Sequence, residues 1–338
     1  MKLLISLDYE LFFGDISGSV EECLLKPTQA IIRILQAHNI KLSLFVDAGF
    51  LCKLEEYSAH FPELLRAKKQ IKKQLLTLSE QGHDIQLHIH PHWQDSYYDG
   101  KTLITNTQRY RLHDFSEEEQ LELVQRYKQT LQKYSTKPIF AFRAGGWCLQ
   151  PFSQISRALK ENGIWLDSTV FNNGFSNDPT RFFNFKEMPN TTQWQFNEDP
   201  LQVQNPGNFC EIPISSVKTS PLFFWKLAFL KIFHVGNFNA FGNDHAMQAN
   251  NSYYLQRLTT TTTYGPVTID GAKAGQLQSA LQQFEKNHKN KKGPIIFNMM
   301  GHPKASCPYS LQKLDLFLKR NPHLISITYQ DIKRENSE

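Results

Sequence analysis

A parallel α/β architecture is the fold class this sequence predicts, and three observations predict it. Apolar, strand-like runs alternate with helical stretches of roughly 10–20 residues, the pattern of repeated βαβ units. Several strand-like runs end in polar or charged residues, where a parallel sheet places its chemistry. No stretch reaches the ~18 consecutive apolar residues of a membrane span.

The elements follow in order. Residues 2–9 read as a strand, and 26–38 as a helix with Pro27 in its first turn. Residues 41–46 form a second strand. A long charged helix over 62–81 stops at Gly82, and 84–89 is a third strand. Ser116 and Glu119 have capping-box spacing and open a helix to about Tyr134. Strands at 139–143 and 164–170 flank a helix at 151–162 that stops at Gly163. Residues 211–214 look like another strand; 294–299 and 324–328 are strands around a helix at 310–320. Residues 171–290 are less regular, rich in Asn, Phe, Thr and Gln, with a threonine run at 259–263. They are expected to be a large insertion within one domain covering 1–338. The alternation fits a closed barrel and an open doubly wound sheet, and favours the barrel only slightly.

Composition narrows the function classes. The 338 residues are 40% apolar and 12% aromatic, enough for a large packed core. Mean hydropathy is −0.45, which excludes an integral membrane protein. The net charge of +5 comes from interspersed residues, so no nucleic-acid partner is expected. The five cysteines (Cys23, Cys52, Cys148, Cys210, Cys307) are odd in number and widely spaced, with no C-x-x-C pair. With no apolar leader after Lys2, they point to a reducing, cytoplasmic setting.

Five strand ends carry candidate chemistry. In Ser6-Leu7-Asp8-Tyr9-Glu10, period-two alternation puts Ser6, Asp8 and Glu10 on one face. Two carboxylates so placed repel in a low-dielectric interior unless a cation or proton lies between them; a solvated strand end is the plainer reading. Residues 83–92 hold four histidines: His83, His88, His90 and His92. An extended chain pairs His88 with His90, whereas a helical turn after Pro91 pairs His88 with His92. Both pairings bring two imidazoles together, as metal binding needs. His83, just after a helix stop, is expected to be structural. Arg143 ends an apolar strand before Gly145-Gly146, placed to hold a carboxylate. Asp167 ends another strand, and His302 follows the apolar run 295–299. Trp93, Tyr97, Tyr98 and Trp147 lie near these motifs as stacking or packing aromatics. The most apolar segment, 220–234, is a core element or an interfacial helix.

The order of these motifs, Asp8-Tyr9-Glu10, His88 to His92, Arg143-Ala144-Gly145-Gly146-Trp147, Asp167 and His302, resembles the NodB-like polysaccharide deacetylases of carbohydrate esterase family four. Gly82-His83-Asp84-Ile85 and Glu211-Ile212-Pro213 add to the resemblance, which covers about residues 1–305. It implies a distorted (β/α)7-type barrel and one divalent metal, most often Zn2+. It implies hydrolysis of an N-acetyl group on an amino sugar of a polysaccharide or glycan precursor. Carried over, Asp8 is the base, Glu10, His88 and His92 bind the metal, Arg143 orients Asp8, and His302, assisted by Asp167, protonates the departing amine. His90 inside the motif is the alternative second histidine ligand. Gly145 stands where the family often has proline. A cytoplasmic enzyme would meet a nucleotide-linked or lipid-linked sugar, the latter by peripheral membrane contact. The other readings are a formyl or cyclic-amide hydrolase on the same barrel, and a non-catalytic sugar binder.

Overall fold

The computed structural model describes residues 1–13, 17–232, 237–242, 263–291, 293 and 295–334. A curled, mostly parallel sheet forms a half-barrel, consistent with a distorted barrel. Its strands are β1 (Lys2–Tyr9), β2 (Ser43–Asp47), β3 (Asp84–Ile89), β4 (Ala141–Ala144), β5 (Leu166–Asp167), β6 (Trp194–Phe196), β7 (Phe209–Glu211), β8 (Ile296–Met299) and β9 (Ile325–Ile327). In space they run β6-β7-β5-β4-β3-β2-β1-β8, with β9 also paired to β1. Only β6 runs antiparallel to its neighbour. The curl brings the chain beyond β7 back towards β8, where the Ser215 N–H donates to Asn298 O at 2.9 Å.

The helices are α1 (Lys26–Ala37), α2 (Ala48–Tyr57), α3 (Pro62–Glu80), α4 (Glu117–Gln132), α5 (Ser156–Glu161), α6 (Pro221–Ile232), α7 (Leu277–His288) and α8 (Pro308–Arg320). Period-two alternation sorts each strand's side chains between two cores. Leu3, Ile5, Leu7, Val46, Leu87 and Phe142 pack outward with helix residues such as Ile31, Leu35 and Leu75. Leu4, Phe45, Ala141, Leu166, Cys210 and Ile212 pack inward without helix residues. Ser6, Asp8, Glu10, Asp47, His88 and Arg143 continue this inner face towards the strands' C-terminal ends, so the site is inside the curl.

The capping box at the start of α4 is present: Glu119 N–H donates to Ser116 Oγ at 3.3 Å, and Ser116 N–H to Glu119 Oε2 at 2.8 Å. Three local readings change. The strand expected over 164–170 keeps regular pairing only at Leu166–Asp167. The helix expected over 151–162 becomes a 3-10 turn at Phe152–Gln154 followed by α5. Helix α2, which follows β2 without a loop, was not anticipated; Phe50, Leu51 and Leu54 give it an apolar side. Within 171–290, β6 and β7 join the main sheet, whereas the Phe175–Asn177/Phe182–Asn184 and Ser216–Thr219/Thr263–Pro266 pairs form separate ribbons. Most of the threonine run lies outside the described residues.

Candidate metal and acid–base site

β1 and β3 bring the acid pair to the histidines. Glu10 Oε2 lies 2.7 Å from His90 Nε2 and 3.1 Å from His88 Nε2, and the two imidazole nitrogens are 3.1 Å apart. All three residues are buried. His88 Nδ1 lies 2.9 Å from the Arg143 carbonyl, which only accepts, so Nδ1 carries a proton and the ring's neutral form aims a lone pair from Nε2 into the cluster. Burial lowers the His88 pKa, but Asp8, Glu10 and Asp47 together outweigh it and raise it above its ordinary value, so an arriving cation takes the place of a proton on Nε2. A lone pair, a second imidazole and a carboxylate oxygen facing one another are stable when they share a cation. Their edges of 2.7–3.1 Å are close to the about 3.3 Å expected between donors of a tetrahedral ion with ~2.0–2.1 Å bonds. The residues present fit a divalent metal. Burial pushes His90 down to about 4, keeping it neutral, while Glu10 is held well below its ordinary value, its own burial outweighed by Lys304 and the histidines. Neutral imidazole and ionised carboxylate are the metal-binding forms.

His92 stands apart from the three donors. Its ring stacks on Tyr110, with centroids 5.9 Å apart and planes at 5°, and neither nitrogen has a hydrogen-bond partner among the described residues. β3 stays extended through Ile89 and the 3-10 turn begins only at Pro91, so His88 and His90 share a face. Gly145 makes room for this: a Cβ there would fall 2.5 Å from the His90 ring. Gly146, at φ 61°, takes the left-handed turn that follows. His83 is structural, as expected: its Nδ1 accepts from Leu42 N–H at 3.0 Å, and burial pushes its pKa down to about 4.

Asp8 sits beside the cluster on the same face. Arg143 Nη1 donates to Asp8 Oδ1 at 2.6 Å, Nη2 to Ser6 Oγ at 2.8 Å and Nε to Ser168 O at 2.7 Å. The guanidinium also lies 4.2 Å from the Phe45 ring centroid. Burial raises the Asp8 pKa, but the positive charges of Arg143, His88 and His302 together outweigh it and the carboxyl stays below its ordinary value. Asp8 Oδ2 is 3.7 Å from His302 Nε2.

The partner of His302 is Asp270, not Asp167. Asp270 Oδ2 accepts from the His302 backbone N–H at 2.6 Å and lies 3.1 Å from Nδ1. Burial lowers the His302 pKa, but the bond and charge of Asp270, with the charges of Asp8 and Glu10, together outweigh this and raise it overall. Asp167 is in register with Phe142 and Glu211, so it points outward towards the helices. Ser168 is the inward residue of that strand end; it bonds the Ile212 carbonyl and lies 2.7 Å from Tyr329 Oη.

Asp167 and Glu211 are instead a buried carboxyl pair. Burial raises both pKa values, that of Glu211 well above normal with Asp167 adding to the shift. A raised folded-state pKa means that the folded chain keeps a proton the unfolded chain releases above about 4.3, the ordinary Glu value, so stability falls as pH rises. Glu211→Gln is therefore expected to stabilise the protein increasingly between pH 4.5 and 8, read from urea midpoints. A gap that does not change with pH would contradict this.

Sequence reasoning also missed Lys304. Its Nζ donates to Glu10 Oε1 at 3.0 Å and to the Leu11 carbonyl at 2.6 Å. Among the aromatics near the motifs, Trp93 is fully buried with Nε1 donating to Asp47 Oδ2, and Tyr98 donates to Glu63. Tyr97 is exposed, and Trp147 packs against Phe171 and Phe183.

No family model matches the chain, and no curated protein does. Solved structures do. A GH57-type branching enzyme from Pyrococcus horikoshii has a TM-score of 0.50 at 9% identity, over 99% of this chain and 71% of that one. Puue allantoinase has a TM-score of 0.49 at 11% identity, over 98% and 88%. A candidate polysaccharide deacetylase from Mycobacterium smegmatis has a TM-score of 0.46 at 15% identity, over 90% and 75%. Peptidoglycan deacetylases and a family 4 carbohydrate esterase are also among the similar structures. At these identities the likeness is one of fold.

Proposed function

We propose that the protein is a divalent-metal-dependent hydrolase that removes the N-acetyl group from an amino sugar in a polysaccharide or glycan precursor. One observation carries the reading: the Glu10, His88 and His90 donors converge beside two acid–base groups, Asp8 braced by Arg143 and His302 braced by Asp270. Glu10, His88 and His90 would hold the ion, with Zn2+ the first candidate for such a mixed N/O set. A divalent ion held there supplies Lewis acidity towards a carbonyl oxygen and acidifies water, to a pKa of ~7 for zinc.

The residues divide the proton transfers. Asp8 Oδ1 is taken by Arg143, so Oδ2 accepts a proton from the attacking water. The oxygen bonds to the amide carbon. His302 Nε2 then delivers a proton to the amide nitrogen as the C–N bond breaks, because an unprotonated amide nitrogen leaves poorly. Asp270 holds the Nδ1–H of His302 throughout and stabilises its charged form. The products are acetate and a free amine.

Helix α6 supports a lipid-linked form of the substrate. Leu222, Trp225 and Phe229 fall on one side of it and are 78%, 57% and 58% exposed, and Lys226 is exposed beside them. The helix contains no acidic residue, which suits an anionic lipid surface. Among the described residues, no helix is long and apolar enough to cross a membrane.

Acetate release tests the reading. N-acetyl amino sugars are offered free, nucleotide-linked and lipid-linked in anionic vesicles, with and without chelator. The expected result is chelator-sensitive acetate release, greatest from vesicles and reduced there by Trp225→Glu. No acetate from any substrate by the metal-loaded protein would refute the deacetylase reading.

A further inference from the structure

Lys304 is the feature of the site that neither the motif pattern nor the proposed reaction uses. It follows His302 by two residues in the 3-10 turn Pro303–Ala305 and is 7% exposed. Its ammonium takes Glu10 Oε1, the oxygen not shared with His88 and His90, and is fixed there by the Leu11 carbonyl. The Phe12 and Phe13 rings lie 4.8 and 5.0 Å from it and shut out water. Three carboxylates of the centre thus have a basic group at 3.1 Å or less: Asp8 has Arg143, Glu10 has Lys304, and Asp270 has His302, whose Nε2 also lies 3.7 Å from Asp8 and 3.8 Å from Glu10.

We propose that Lys304 is a positioning residue that restricts Glu10 to a single ligating oxygen, Oε2, and leaves the loaded site with surplus positive charge. The inference rests on the reading that Glu10, His88 and His90 hold a divalent ion. Single-oxygen ligation preserves open positions for water and substrate, as a catalytic ion needs. The surplus charge weakens cation binding, because the ammonium shares the Glu10 carboxylate with the ion. It also favours whatever anion enters, including the oxyanion formed when water adds to an amide.

The test is zinc affinity, measured by competition with a chromophoric chelator, for the parent, Lys304→Met, Lys304→Gln and Lys304→Arg. Both neutral variants are expected to bind Zn2+ about tenfold more tightly or better, whereas Lys304→Arg stays within about threefold of the parent. Co2+ absorption should show an added ligand in Lys304→Met, where no donor holds Glu10 Oε1. Lys304→Gln loses the charge but offers amide N–H donors in its place, so its zinc affinity decides the matter if Lys304→Met fails to fold. A folded neutral variant that binds no more tightly than the parent, or an arginine variant as tight as the neutral ones, would overturn the proposal. A parent that binds zinc but releases no acetate removes the deacetylase reading and leaves this one intact; a parent that binds no divalent ion ends both.

Discussion

Asp8→Asn is expected to lower kcat by about 10³-fold, within the 10²–10⁴ range of a general base, while metal content stays at the parent's level. The amide is nearly the same shape as the carboxylate, and its oxygen can still accept from Arg143 Nη1. It cannot take a proton from water. The substitution also leaves the guanidinium without its counter-charge, where removing one partner of a buried pair costs up to about 3–5 kcal/mol. Retained contacts to Ser6 and the Ser168 carbonyl keep the cost towards the low end. Steady-state acetate release at 25 °C, beside a melting curve and metal analysis, separates the effects. A folded, metal-bearing Asp8→Asn protein with more than a tenth of the parent kcat would show that another group is the base.

The second large effect distinguishes among the histidines. His88→Ala and His90→Ala are each expected to weaken metal binding by about 100-fold or more and to abolish activity, because each removes one of three donors. His92→Ala is expected to keep the metal and lose stability, as a ring stacked on Tyr110 and edge-on to Phe13 leaves a cavity behind. Dialysed proteins measured for bound metal give the answer. The reverse order, with His92→Ala metal-free and His90→Ala loaded, would mean that the pair spaced four apart does the binding.

These two experiments address the part of the site that the sequence could not decide. Periodicity put Asp8 and Glu10 on one face and allowed either His88–His90 or His88–His92, since the choice depends on where β3 stops being extended. It stops at Ile89, before the turn at Pro91, a boundary that local pattern places only to within a few residues. The Asp167 expectation failed for a related reason. One position along a strand reverses the face, and Ser168 rather than Asp167 points inward. Asp270 was hidden in the irregular stretch, although the β-branched run Val267-Thr268-Ile269 ending in Asp-Gly was a strand-end signal like the others. Thr268 does bridge to Met300 beside β8. Lys304 had no such signal, because an ammonium buried by phenylalanines from another loop is a tertiary fact. What sequence did carry was the alternation of strands and helices and the polar strand ends, since both reflect the sheet's own geometry.

Metal content of the purified chain bears most directly on the whole account. After exchange into metal-free buffer and reconstitution with Zn2+, about one ion per chain is expected, with binding abolished in Glu10→Ala. A folded parent chain that takes up no divalent ion at micromolar concentrations, or one whose ion stays when Glu10 is removed, would contradict it.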